Sequence, residues 1–234
     1  MAAATKRKAP EGDAGAAAKR RKCPYLDTVN HQLLDFDFEK VCSVSLSDQN
    51  VYACLVCGKY FKGRGRSTHA FTHSVQSSHH VFINLQTDRI YCLPDNYEVV
   101  DNTLKPVQDA LRPAFEPAQV ARLDQNRILA QDAFGVSYLP GFIGLNNLKH
   151  TDYINVVVQA LAHVPPLRDF FLANSAASKV KSKLVLRFGE LLRKMWSPHN
   201  FKNTVRWARR ARLGLLAACV LMRSCGLVHA DQSA

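Results

Sequence analysis

The sequence has no apolar stretch long enough to cross a bilayer. The longest, Leu213 to Met222, is ten residues and includes a glycine, against the ~20 that a membrane helix needs. It also lacks an apolar segment near its start. The N-terminus is rich in Ala and Lys instead, so secretion is not expected. The seven cysteines therefore read as thiols or metal ligands, not as a disulfide framework. Acidic residues are few, 19 against 31 basic, for a net charge of +12. The excess sits at the ends. Residues 1–22 carry seven basic and two acidic side chains, residues 203–234 carry five Arg and one Asp, and only +3 remains between them. A basic nucleic-acid face on the folded part is not required by these numbers.

What is present is a concentration of soft metal ligands between Cys54 and His80. Cys54 and Cys57 have the Cys-x-x-Cys spacing of a chelating knuckle, and His69, His73, His79 and His80 follow. His69 and His73 are four apart, so a helix places them on one face. Thiolate and imidazole together in one compact segment are what tetrahedral zinc selects. One site needs two nitrogens beside the two sulfurs, and the spacing alone leaves the choice among four histidines open.

Lys6-Arg7-Lys8 and Lys19-Arg20-Arg21-Lys22 are two basic clusters in a low-complexity tail over 1–22, as in a bipartite nuclear import signal that importin reads. An ordered region is expected from Cys23. Val51-Tyr52-Ala53 predicts a strand into the knuckle, Ser67–Gln76 a short helix, and 81–85 with 89–92 a hairpin. Asn102 or Thr103 is expected to cap a helix that Pro106 opens. A further helix from Pro117 should carry Val120, Leu123, Ile128 and Leu129. These elements make an α+β zinc module over 23–125, small enough for the metal to contribute to its folding. Residues 126–137 read as a linker and 138–147 as a tight loop. A helix capped by Thr151 or Asp152 should run from Tyr153 to His163, with Ile154, Val157, Val158 and Leu161 as its apolar stripe, until Pro165-Pro166 ends it. A longer helix, about 178–196, should bury Val180, Leu184, Phe188, Leu191, Leu192 and Met195 and stop at Pro198.

Residues 23–172 resemble a zinc finger of the ubiquitin-specific-protease type, followed by the start of a ubiquitin-specific protease domain. That family's nucleophile box reads Gly-Leu-x-Asn-x-Gly-Asn-Thr-Cys-Tyr-x-Asn-Ser-x-Leu-Gln. Here Gly144, Leu145, Asn147, Thr151, Tyr153, Asn155 and Gln159 fit it. The chemical positions do not: the nucleophile is replaced by Asp152, the oxyanion-hole Asn by His150, and the Gly before it by Lys149. A carboxylate at a helix N-terminus is a cap, not a nucleophile activated like a thiolate. Loss of one oxyanion donor costs on the order of 10²–10³ in rate. The resemblance therefore implies no catalysis and no small-molecule substrate.

Cys23-Pro24-Tyr25-Leu26-Asp27, the segment 91–97 and this altered box are similar to an inactive branch of the family that is associated with the spliceosomal tri-snRNP. The resemblance implies the helical N-terminal part of a papain-like domain over 138–202, a nuclear location, and a scaffold role in pre-mRNA splicing with tri-snRNP proteins as partners. It also implies one zinc on Cys54, Cys57, His73 and His79, with His69 and His80 next in line. A second site would need Cys42, Ser45, Lys62 and His69, and a third Cys23, Cys92, Tyr25 and Asp95; both lack ligands. The family's ubiquitin-tail pocket uses an Arg after a Gly with aromatic walls. Arg64, Tyr52 and Tyr91 stand at those places, in a surrounding motif that departs from the family's. A zinc-dependent module that binds RNA or ubiquitin is the alternative. The likeness stops at Lys202, and residues 203–234 read as a divergent basic and apolar tail on a shortened protease-like domain that cannot bury its whole core.

Overall fold

The computed structural model describes residues 23–147, 152–173 and 182–205. The expected import signal, Lys149, His150, Thr151, Val180 and the tail after 205 lie outside them. The architecture is α+β. Strands β1 (Val51–Cys54), β2 (Tyr60–Lys62), β3 (Val81–Asn84), β4 (Ile90–Cys92) and β5 (Tyr97–Val99) form one antiparallel sheet in the order β2-β1-β3-β4-β5. The two-residue side-chain period sorts this sheet into two faces. Val51, Ala53, Tyr60, Val81, Ile83, Ile90, Cys92 and Val99 pack on one side with Leu104, Val107, Ala110 and Leu111. Tyr52, Cys54, Phe61, Phe82 and Tyr91 pack on the other with Ala70. Helix α1 (His69–Ser77) supplies Ala70, and α2 (Lys105–Leu111) supplies Val107, Ala110 and Leu111. Covered on both faces, the strands read as unbroken apolar runs instead of alternating ones.

Strand β2 falls inside the segment that the glycines mark as a turn, and β5 carries Glu98 in its middle; neither is signalled by composition. The cap before α2 is Asp101, whose carboxylate accepts from the Thr103 amide at 2.9 Å, not Asn102 or Thr103. The helix expected from Pro117 is one turn, α3 (Pro117–Val120), closed by Glu116 and Gln119 as a capping box. Ile128 and Leu129 are exposed. Residues 130–138 are not a bare linker but a hairpin, β6 (Ala130–Gln131) with β7 (Ser137–Tyr138).

Beyond it, β8 (Gly144–Leu145) pairs in parallel with β9 (Thr204–Val205), and three helices follow the hairpin: α4 (Asp152–Ala162), α5 (Pro165–Ala173) and α6 (Lys183–Trp196). Pro165-Pro166 opens α5 where it was expected only to end a helix, because proline fits a first turn whose amides need no partner. Ile154, Val158, Phe171, Leu172, Phe188, Leu191, Leu192, Met195 and Trp196 make a second core, joined by Val120 and Tyr138. Thus 138–205 does bury a core of its own. Arg168, 2% exposed, crosses it. Its guanidinium holds both oxygens of Asp124 at 2.5 and 3.1 Å and one of Asp169 at 2.7 Å, and lies over the Trp196 ring. This clamp fixes the segment after α3 to α5 and α6.

The two cores meet along one seam. The Lys194 ammonium pairs with Asp37 and donates to the Phe36 carbonyl, Lys202 pairs with Asp35, and Phe201 stacks on His31.

Gly141 tests the second core. Its φ of +92° disfavours any other residue, and a Cβ there would lie 2.7 Å from the Trp196 ring. Gly135 has a φ of +79° with open space around it. Gly135→Ala should cost about 1 kcal/mol from backbone strain alone, whereas Gly141→Ala should cost about 2–4 kcal/mol because overpacking adds to that strain. Denaturant unfolding of both variants checks the difference; equal losses would show that the Trp196 contact is slack.

Candidate metal centre

The knuckle is a turn with a defined hydrogen-bond frame. The Gly58 amide donates to the Cys54 carbonyl at 2.9 Å, and the Cys54 amide to the Lys59 carbonyl at 2.9 Å. Gly58 takes a φ of +72°, and a Cβ there would strike the Leu33 carbonyl oxygen at 2.2 Å. The frame recurs. Leu46 donates to Cys42 at 3.0 Å, Asp88 to Asn84 at 3.0 Å and Asn96 to Cys92 at 2.8 Å. Each of these donors also has positive φ, of 55°, 59° and 60°. One turn type thus occurs four times, at three corners of the sheet and once, at Cys42–Leu46, in the segment before β1. The first and fourth residues are Cys42 and Ser45, Cys54 and Cys57, Asn84 and Thr87, Cys92 and Asp95. Two thiols coincide in one corner of the four. In two of the others the first side chain is satisfied by turn amides: Cys42 Sγ accepts from Ser45 at 3.5 Å, and Asn84 Oδ1 from Gln86 and Thr87 at 2.8 and 3.0 Å.

Helix α1 crosses behind this corner and ends at Ser78, whose left-handed φ of 55° turns the chain back. The turn brings His79 beside His73. Cys57 Sγ lies 3.4 Å from His73 Nε2, Cys54 Sγ 3.6 Å from His79 Nδ1, and the two nitrogens are 3.1 Å apart. All four ligand atoms lie within 4.8 Å of one another, and no other such group occurs among the described residues. Zinc bonds of about 2.3 Å to sulfur and about 2.0 Å to nitrogen at tetrahedral angles require S···N near ~3.5 Å and N···N near ~3.4 Å. The tetrad fits one zinc ion. His73 Nδ1 faces the Ser77 hydroxyl at 3.3 Å, and the ring stacks on Phe61. That second contact fixes the ring and leaves Nε2 to the metal.

The two thiols share a proton. The Cys54 thiol donates to Cys57, which holds Cys57 down to about 4, helped by the Lys59 amide and by His79 and His73. The same bond, with burial, pushes Cys54 upward. A metal displaces that proton, so binding weakens as pH falls.

His69 stands at the opposite end of α1 and does not join the tetrad. His80 points away: Nδ1 lies 2.7 Å from the Leu93 carbonyl, and its ring packs on Tyr25. Cys23 and Cys92 lie in the apolar core, both hydrogen-bonded to Tyr97. Burial pushes Cys92 up to about 11. Arg64 lies over the Tyr91 ring at 4.0 Å with Tyr52 edge-on to that ring, and it donates to Asn96 at 3.0 Å. The arginine thus covers the aromatic wall itself. In the altered box, Asp152 is the exposed first residue of α4. Asn155 and Gln159 donate to the Leu145 and Ile143 carbonyls at 3.3 and 2.9 Å. The family's frame persists around a position with no thiol.

Comparison with known proteins accords with this geometry. Residues 42–104 match the family described as zinc finger in ubiquitin-hydrolases and other proteins, and residues 143–213 match ubiquitin carboxyl-terminal hydrolase. The second match runs past Lys202, where the likeness was read to stop. The chain is 55% identical to human ubiquitin carboxyl-terminal hydrolase 39 over 191 residues, 79% of this chain and 34% of that protein. It is 49% identical to the probable mRNA-splicing protein ubp10 of Schizosaccharomyces pombe, over 77% of this chain and 36% of that one. It is 37% identical to the pre-mRNA-splicing factor SAD1 of Saccharomyces cerevisiae, over 76% and 40%. The crystal structure of an essential yeast splicing factor superposes with a TM-score of 0.74 at 34% identity, covering 86% of this chain and 54% of that one. The chain spans 34–40% of the length of these sequence relatives.

Purified protein should hold one zinc per chain. Chelation should unfold the sheet, and zinc should restore it. Cys57→Ala and His79→Ala should abolish zinc uptake, whereas His69→Ala should keep it. Metal analysis with circular dichroism checks this, and loss of zinc in His69→Ala would reject the ligand set.

Proposed function

Because the chain joins a zinc finger of the ubiquitin-hydrolase type to part of a ubiquitin carboxyl-terminal hydrolase domain, we propose that it is a nuclear, non-catalytic scaffold in pre-mRNA splicing, with tri-snRNP proteins as its partners. Its zinc is held by Cys54, Cys57, His73 and His79, and residues 6–8 and 19–22 engage importin. The observation that carries the reading is the altered box. Asp152 opens α4 at the nucleophile position, while Asn155 and Gln159 still tie that helix to the strand before it. The frame of a protease is retained where its chemistry is not, which suits a surface selected for contact. The names of the splicing relatives support the same reading.

A pull-down from nuclear extract with the 234-residue chain, probed for tri-snRNP RNAs and proteins, tests it. Recovery of the particle is expected, and recovery of none of its components would reject the scaffold role for this chain. A thiol-trapping ubiquitin probe should leave the protein unlabelled; labelling near residue 152 would overturn the non-catalytic assignment.

A further inference from the structure

The zinc finger's small net charge hides a separation. Residues 49–87 contain Lys59, Lys62, Arg64 and Arg66 and no acidic residue. Residues 88–101 contain Asp88, Asp95, Glu98 and Asp101 against Arg89 alone. The strand order turns this sequence separation partly into a spatial one, although Arg64 reaches across to Tyr91 and Asn96 and the segment of Asp35 meets Tyr60 of β2. The basic segment contributes β2, β1, α1 and β3, and the acidic one lies around β4 and β5 at the far edge. Lys59, Lys62 and Arg66 are exposed. Among the described residues no carboxylate lies within ion-pair distance of these three or of Arg64. Arg64 is held instead by an aromatic face and a neutral amide, so its charge is oriented but not neutralised. The loop of Arg64 and Arg66 also runs into the start of α1. There Thr68 donates its hydroxyl to the Gly65 carbonyl and gives the helix no side-chain cap, so the positive end of the helix dipole adds to the same field.

We infer that the β2 edge and the 59–66 loop of the zinc finger form a docking surface for the phosphate backbone of RNA. The neighbouring aromatic residues decide how the RNA is held. Tyr52, Tyr60, Phe61 and Tyr91 are all buried, so none of these four rings is free for a base to stack on. An acidic protein segment would need an apolar or aromatic anchor at the centre of its interface, and the patch offers none. Charge without a stacking platform suits paired RNA, whose phosphates are exposed and whose bases are not. Such contact is independent of sequence and sensitive to salt. It extends the splicing role proposed above by giving the finger a partner, but it is measured on the isolated protein and so fails or holds separately from recovery of the tri-snRNP.

The test is fluorescence anisotropy of the full chain with a labelled RNA duplex across a salt series. Wild type is compared with Lys59→Gln/Lys62→Gln/Arg66→Gln, the basic tail being the same in both. Each lost phosphate contact should flatten the log–log salt slope by about 0.9, so the triple variant should bind about 500-fold more weakly at 0.1 M salt. Its zinc content should stay at one per chain. If Lys59→Gln disturbs the knuckle, Lys62→Gln/Arg66→Gln should flatten the slope by about 1.8. Equal affinity and slope in wild type and variant would place the contact in the tail and overturn the inference. So would equally tight binding of a polyglutamate peptide that depends on the same three residues, which would assign the surface to an acidic protein.

Discussion

The structure of the first region depends on the convergence of two sulfurs and two imidazole nitrogens to within 4.8 Å. Two thiols that close cannot both ionise unaided. A divalent cation would stabilise both thiolates and tie three separate pieces of chain together: the corner after β1, the middle of α1 and the reversal before β3. The rest of the finger is arranged so that these pieces arrive. Gly58 allows the corner to close under Leu33, Ser78 turns the chain after the helix, and Phe61 stacks on the His73 ring.

The four-fold recurrence of the corner explains why one such site, and not several, occurs among the described residues. The turn is a backbone solution for reversing the chain, and at Cys42 and Asn84 its first side chain meets turn amides. A thiol, or the amide oxygen of Asn84, is satisfied there without a metal. A metal site needs in addition a second soft donor in the same corner and two more from a passing element. Cys42 has Ser45 beside it, and Cys92 has Asp95.

The protease-like region follows a different logic. Its helices bury a core among themselves, and they are fixed to the finger by lysines of α6 and the segment after it, reaching Asp35 and Asp37. Because these pairs are partly enclosed, each ammonium and carboxylate needs its partner more than a surface pair would. The two regions are therefore fixed against each other.

Much of this was legible in the sequence, and the reason lies in short-range rules. The knuckle, the helix with His73 and the hairpin over 81–92 follow from spacing within a few residues, and the altered nucleophile box from the resemblance to the ubiquitin-specific-protease family. Helix ends were less legible. Pro165-Pro166 and Pro117 each suit either the end of one helix or the start of another, and packing decides between them. Strand β2 could not be read because three residues between glycines carry no period, and only pairing with β1 makes them a strand. The sequence by itself determined the donors available to a metal and the absence of a thiol at position 152. The tertiary structure alone decided how closely His73 and His79 meet the two thiols while His69 stays apart, and that Arg64 lies on Tyr91. Those outcomes depend on distances between residues far apart in the chain, which strand order sets and local sequence does not.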